Sequence, residues 1–423
     1  MRVLVIGGGA REDALVARLA ADPEVDDVLS APGNPGIARR ARTAPLDVTD
    51  VNAALALAAR ERIDLTVVGP EVPLGAGIAD RFARDGRLLW GPTAAAARLE
   101  TSKAFAKDFM ARHGVPTARF RVCAASAEAS KVVASGELGF PIVLKADGLA
   151  AGKGVVIAND RAEAEAAIAA AMTARVFGNA GDRLVIEEHL TGPEVSFFVV
   201  SDGARAVPIG SAQDHKRIFD DDQGPNTGGM GAFAPSPLVD TVLQARVMRE
   251  IVKPVIAGMA AEGHPFRGFL YVGLMLTPSG PKVIEFNVRL GDPEAQVVLP
   301  LVGEPLAPIL AAGAAGALGT DRVRQDRSRL TGVVLASRGY PASSSSGQPI
   351  EGVAAAEAIA GVTVYHAGTA MRDGRLVTAG GRVLTVVGQG GDFAESIARA
   401  YAGVMQITFE GMQFRHDIGR KAL

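Results

Sequence analysis

Residues 283–294 read VIEFNVRLGDPE, a short apolar run that breaks off into Glu285, Asn287, Arg289, Asp292 and Glu294. Apolar strands do not normally finish that way, so the chain is organised around a strand that opens onto chemistry. On extended backbone Glu285 and Asn287 project to one face, as two oxygen ligands of one hard cation require. Magnesium suits such a pair, because it takes one or two protein oxygens and leaves its other positions to water and nucleotide phosphates. Arg289 follows on the same parity and offers a planar fork to a carboxylate or phosphate. Metal, anion and arginine together predict phosphoryl transfer. Taken alone, the same string also fits a surface strand end whose Glu285 pairs with Arg289. The nucleotide reading therefore needs partners elsewhere in the chain.

Such partners stand upstream. Residues 142–144 form a buried strand, Lys145 to Gly154 reads KADGLAAGKG, and a second apolar strand follows at 155–158. Two strands joined by a glycine-rich loop predict a flap over phosphates. The loop is not a Walker A motif, since three residues separate Gly148 from Gly152-Lys153 and Gly154 replaces the required Ser or Thr. Lys145, at a strand end, is placed as a fixed cation, and Lys153 rides the loop. Further on, a strand at 184–186 leads into Glu187, Glu188 and Glu194. One of these acids can accept ribose hydroxyls, with backbone near Glu188 to Leu190 reading adenine, or they solvate a hairpin end.

The most polar and glycine-rich long loop is QDHKRIFDDDQGPNTGGMGA, residues 213–232. Loops of that length are functional or disordered. Asn226, Thr227, Gly228 and Gly229 supply closely spaced amides and short polar tips, a nest for anions. Asp220, Asp221 and Asp222 read as a solvated acidic patch rather than a metal cluster.

The first hundred residues alternate strand and helix and predict an open parallel sheet, whose ligands bind at the carboxyl ends of the strands. That places Gly7 to Arg11, Pro32 to Asn34 and Gly69 to Glu71 on one rim. A dinucleotide site is disfavoured, because Glu12 stands where the third glycine of the fingerprint belongs and the second strand ends in Ser-Ala-Pro. A phosphate held by the glycine amides, with Arg11 near, survives the same facts. Ser102 or Thr101 caps a helix to His113 that joins this region to the next. The remainder beyond Asp326 reads as a smaller α+β unit with little visible chemistry.

With 423 residues the chain exceeds one core, and about three domains are expected. Lys plus Arg is 44 and Asp plus Glu is 46, so no basic excess points to nucleic acid. The lone Cys123 excludes an internal disulfide and, with no signal peptide and no apolar run of membrane length, leads us to expect a cytoplasmic protein.

KADGLAAGKGVV (145–156), QDHKR (213–217), GPNTGGMGAF (224–233) and EFNVRLGDPE (285–294) together resemble, in order, the motifs of the phosphoribosylamine-glycine ligase family of ATP-grasp enzymes. The likeness runs end to end. It implies an N-terminal α/β domain over 1–102, an ATP-grasp domain over 103–326 with a mobile lid at about 119–190, and a C-terminal α+β domain over 327–423. It implies ATP, glycine and 5-phosphoribosylamine as substrates, Mg²⁺ or Mn²⁺ as metal, a role in purine biosynthesis, and a monomer that binds neither nucleic acid nor membrane.

By position, the resemblance assigns Glu285 and Asn287 to the metal. Lys103, Lys145, Gly148, Gly152, Lys153, Gly154, Glu187, Glu188, Leu190 and Glu194 fall to ATP. Gly8, Gly9, Asp214, Lys216, Asn226, Thr227, Gly228, Gly229 and Met230 fall to the other substrates, as do Arg289 and Asp292, which with Lys145 are the expected catalytic residues. A different acceptor, or nucleotide binding without turnover, is the alternative reading.

Two departures stand out. Leu274-Met275-Leu276 replaces the acid many relatives carry on the preceding strand, and Asp13 stands where the family reads histidine. A carboxylate against a phosphate dianion is strongly repelled, so Asp13 is expected to point away from the substrate phosphate and to make a helix or neighbour contact.

Overall fold

The computed structural model describes residues 1–148 and 154–423. The N-terminal sheet has five strands, all parallel, in the order Arg42–Thr43, Asp27–Pro32, Arg2–Gly7, Leu65–Val68, Leu89–Trp90. Its central strand is apolar and buried from Val3 to Ile6 because both faces are covered there. Val3 and Val5 enter one core and Leu4 and Ile6 another. The strand ends at Gly7, Pro32 and Val68 therefore share one rim, as the alternation predicts.

A separate antiparallel sheet holds Phe120–Cys123, Leu184–Glu188, Ile142–Ala146 and Val155–Ala158 in that order. Helices Ser126–Ser135 and Arg161–Ile168 pack Ala129, Val133, Ala164 and Ile168 against Leu144 and Ile186, which gives this unit a core of its own. Its outer strand leaves Val156 and Ile157 exposed.

The third sheet has eight strands: Gly280–Asn287, Arg267–Thr277, Glu194–Asp202, Ala206–Asp214, Gly231–Ala234, Arg329–Ala336, Arg382–Gly390 and Val362–His366. It passes without a break across residue 326, so the C-terminal region shares a sheet with the central one while helix Phe393–Val404 builds its own core. Residues 213–232, expected as one long loop, are largely paired. Strand Ala206–Asp214 runs into a small hairpin, Arg217–Phe219 with Gln223–Asn226, and Gly231–Ala234 closes the stretch. Among the described residues no helix is long and apolar enough to cross a membrane.

Candidate active site

The strand that carries Glu285 is antiparallel to Arg267–Thr277, with Gly273 opposite Glu285 and Tyr271 opposite Asn287. The register slips between Gly273 and Leu274, leaving Ile284 as a bulge. The bulge changes which face the chain presents. Val283 and Phe286 both enter the core although three residues apart, and Glu285 and Asn287 together face outward. A Cβ on Gly273 would stand 3.2 Å from Glu285 Cγ, so the glycine keeps room beside the carboxylate. Glu285 is exposed to solvent on its strand, yet the surrounding protein opposes its charge. Lys216, Lys145, Lys103 and Arg289 outweigh that and hold its carboxyl below the usual range. An ionised carboxylate and an amide oxygen on one face fit a hard divalent cation. Among the described residues no group of three His, Cys, Asp or Glu gathers to bind a metal.

Lys145 closes strand Ile142–Ala146, with its Nζ 3.0 Å from Glu187 Oε1 and donating to Ile284 O at 3.2 Å. The bulge carbonyl thereby ties the small sheet to the strand bearing Glu285 and Asn287. Glu187 Oε2 meets Lys107 Nζ at 2.8 Å, and all three side chains are buried. Burial pushes the Glu187 carboxyl up, but the two ammonium groups prevail and lower it, while burial brings Lys107 down to about 8 against the pull of Glu187. Glu187 thus bridges two lysines, and the family assignment to ATP has to accommodate that bridge.

Lys103 donates to Gly148 O at 2.8 Å, and burial lowers its pKa although Glu285 opposes the shift. Glu188 lies between Arg119 at 2.7 Å and Lys282 at 3.1 Å. Burial raises its pKa, but hydrogen bonds from the Arg119 backbone and side chain and from Lys282 bring it down to about 2. Gly154 O accepts from Ala146 N at 2.9 Å, and half-buried Leu190 follows the strand end. Gly152 and Lys153 lie outside the described residues.

Glu194 pairs with Lys216, whose ammonium is held well above its ordinary range by Asp214 and Glu194 in spite of burial. Burial raises Asp214, with Lys216 opposing and Glu194 and Glu285 adding to the rise. Glu294 is pushed up to about 7 by burial and by Asp214, and Ser196 Oγ bridges its Oε1 at 3.2 Å to Tyr271 OH at 3.0 Å.

At the inner end, Arg289 is pinned by Glu100 at 2.7 Å and Glu71 at 3.2 Å rather than by Glu285. Glu100 Oε2 also accepts from Val288 N at 2.7 Å, so one carboxylate holds both the arginine side chain and the amide of the residue before it. Arg11 meets Glu12 at 2.6 Å and reaches Leu290 O. Asp292 accepts from Gln296 at 2.6 Å and pairs at 2.8 Å with Arg382, whose Nη1 also donates to the carbonyls of Asp292 and Gly228. Gly228 N donates to Tyr340 OH at 2.8 Å. Thr227 donates through both N and Oγ1 to Lys216 O, and Gly229 N donates to Thr227 Oγ1. From the C-terminal region, Arg382 therefore joins the 226–229 loop to Asp292, and Tyr340 holds the loop at Gly228.

Not every expected residue presents its side chain. Met230 is fully buried beside Ile218 and Ala336, so only its backbone borders the loop, and Asn226 is exposed on the hairpin. Gly9 N is already engaged by Glu12 Oε2 at 2.6 Å, while Asn34 Nδ2 donates to Gly8 O at 2.9 Å. Glu12 fills the space over the turn, since a Cβ on Gly7 or Gly69 would stand 2.5 or 2.1 Å from it. Asp13 is turned toward Arg40 at 3.0 Å and His366 N at 2.7 Å. Lys107, Glu100, Tyr340 and Arg382 were missed from sequence because each lies far along the chain from the motif it contacts, and Glu71, placed on the rim, was not foreseen as the partner of Arg289. Glu294 was visible as the last residue of the opening stretch.

Family models for phosphoribosylglycinamide synthetase match this chain in three parts: the N domain over residues 1–100, the ATP-grasp (A) domain over 101–295 and the C domain over 330–421. The phosphoribosylamine-glycine ligase of Xylella fastidiosa (strain Temecula1) is 51% identical over 427 residues, covering 100% of this chain and 98% of that one. That of Pseudomonas aeruginosa is 47% identical, with 100% and 98% covered. The crystal structure of the Thermotoga maritima phosphoribosylamine-glycine ligase superposes with a TM-score of 0.84 at 33% identity, covering 99% of this chain and 100% of that one. The biotin carboxylase domain of the Hydrogenobacter thermophilus 2-oxoglutarate carboxylase, solved with MgADP, shares the fold at a TM-score of 0.75 and 18% identity, covering 98% and 91%. A chain matched by the three domain models over residues 1–295 and 330–421, and by full-length relatives at about half identity, belongs to the phosphoribosylglycinamide synthetase family.

Proposed function

We infer that this chain is an ATP-dependent ligase that joins glycine to 5-phosphoribosylamine, giving glycinamide ribonucleotide, ADP and phosphate in purine biosynthesis. The full-length similarity to ligases of that name carries the reaction class. The observation that carries the site is that Lys145, through the Ile284 carbonyl, is fastened to the strand bearing Glu285 and Asn287.

A carboxylate oxygen of glycine attacks the γ-phosphorus of ATP, and the bond to the bridging oxygen breaks with its electron pair leaving on ADP. The amine of phosphoribosylamine then attacks the glycyl phosphate carbonyl, phosphate departs with the C–O electron pair, and the nitrogen sheds a proton. Both partners of the first step are anions, so positioned cations are the main catalytic requirement. A divalent cation held by Glu285 and Asn287 supplies charge neutralisation on the phosphates. Two hard oxygens as the whole protein contribution favour Mg²⁺, with Mn²⁺ the alternative.

Lys145 and Lys103 hold phosphate charge, Glu187 keeps Lys145 in place from behind, and Glu188, Leu190 and Glu194 border the nucleoside. Gly148, Gly152, Lys153 and Gly154 belong to a lid within about 119–190 that excludes water from the acyl phosphate. Arg289 and Asp292, each fixed by opposite charges, orient glycine and the acceptor together with Asp214, Lys216 and the 226–230 loop. Gly8 and Gly9 border the acceptor phosphate. Division into 1–102, 103–326 and 327–423, a monomeric state and a cytoplasmic location belong to the same proposal. The separate core of the small sheet supports the lid. ADP release measured with and without glycine and phosphoribosylamine tests the reaction. Release that ignores both would leave only nucleotide hydrolysis.

A further inference from the structure

The acidic run Asp220, Asp221 and Asp222 lies at the surface as expected, with Asp221 and Asp222 exposed, but it is also held by the rest of the chain. It forms the tip of the hairpin whose two feet carry Lys216 and the 226–229 loop, and the C-terminal tail grips it. Arg415 is fully buried. Its Nε and Nη2 donate to the two Asp417 oxygens at 2.7 and 2.6 Å, and its Nη1 donates to Asp222 Oδ1 at 2.9 Å and Arg217 O at 3.1 Å. Asp417 Oδ2 accepts from Asp221 N at 3.0 Å, Lys421 reaches Asp222 at 2.6 Å, and His416 N donates to Asp220 at 2.7 Å.

The backbone shows why a grip is needed. Asp221 and Asp222 both have positive φ, 55° and 54°, the left-handed region that non-glycine residues rarely adopt. Such a tip holds its shape only if something outside it does the holding. Behind the feet, His215 is buried between Asp214 and Lys216, with neither ring nitrogen hydrogen-bonded to a described residue. Burial, with Arg415 and Lys421 adding to it, lowers its pKa to about 4, so it packs against this hub as a neutral ring.

We propose that Arg415 is a positioning residue for the ligase reaction: by locking residues 217–222 it sets Asp214, Lys216 and the 226–230 loop together beside the Glu285 to Asp292 stretch. Its charge is fully committed to Asp417, Asp222 and a main-chain carbonyl, so it acts through the hairpin and touches no substrate. This rests on the reading of those residues as substrate-binding.

The test uses the full-length enzyme with Arg415→Met, Arg415→Lys and the milder Asp222→Asn, whose side chain is partly exposed and outside the core. Lys216→Met is the independent check on the substrate reading. The expected result is faster amide exchange over 217–226 in Arg415→Met and Asp222→Asn. The KM for glycine or phosphoribosylamine rises about tenfold or more, the KM for ATP stays within about twofold, and Arg415→Lys recovers part of the loss. Unchanged exchange, or unchanged KM values where Lys216→Met does raise one, overturns the brace. If Lys216→Met also leaves both KM values alone, the substrate reading beneath it has failed instead, and the proposal falls with it.

Discussion

Asp13→Asn isolates the electrostatics of the junction between the glycine turn and strand Val362–His366. Asp13 is wholly buried and accepts from His366 N and Arg40. Burial raises its pKa from 3.8 to about 6, against the pull of Arg40, the His366 amide and Arg39, with Glu357 adding to the rise. A carboxyl raised on folding binds its proton more tightly in the folded state than in the unfolded one. Its contribution to stability is therefore fully present below pH 3.8 and is lost as pH rises through 6, a change of roughly 3 kcal/mol. Of that, roughly 1.4 kcal/mol falls between about pH 5 and about pH 7.5 by the linkage relation.

Asparagine keeps an acceptor for His366 N but does not titrate. The stability of the parent chain relative to Asp13→Asn should thus drop by about 1.4 kcal/mol over that interval, read from urea unfolding of both proteins at both pH values. Parallel profiles, differing by less than about 0.4 kcal/mol, would refute the assignment of a raised carboxyl at this junction. Because the carboxylate is turned to Arg40 and His366, the KM for phosphoribosylamine should stay within about threefold. A rise of about tenfold would place position 13 in the acceptor site instead.

Glu285→Gln weakens one oxygen ligand on a solvent-facing strand position, so ADP release should be lost at low Mg²⁺ while the melting temperature stays within about 2 °C. Normal release at low Mg²⁺ would remove Glu285 from the metal site. Glu187→Gln leaves Lys107 and Lys145 as buried ammonium groups without their shared carboxylate and should cost about 3 kcal/mol in urea unfolding. Adding Lys107→Met should recover at least about half of that, whereas simple additivity would show that the two do not interact. Arg382→Met strips the link between Gly228 and Asp292 and should raise the KM for glycine or phosphoribosylamine about tenfold, with the KM for ATP within about twofold. Unaltered values for all three substrates would make Arg382 a surface ion pair only.

Local pattern was enough for much of this molecule. Alternation and glycine turns foretold the parallel N-terminal sheet, the paired strands around the 145–154 loop and the strand ending at Asn287, because periodicity and turn chemistry act over a few residues. The motif residues themselves were legible for the same reason: Glu285, Asn287, Arg289 and Asp292 lie within eight consecutive positions. Packing decided what those side chains touch. Arg289 found Glu71, 218 positions away, and Asp292 found Arg382, 90 positions on. Asp220 to Asp222 found a tail nearly 200 positions distant, and Asp13 found His366. The bulge at Ile284 belongs to the same class, since it arises from the pairing of two strands and decides which way Glu285 faces. Side-chain type and spacing specify which chemistry a stretch can offer, but the partner that fixes a buried charge is chosen by whichever element the fold brings within about 3 Å of it.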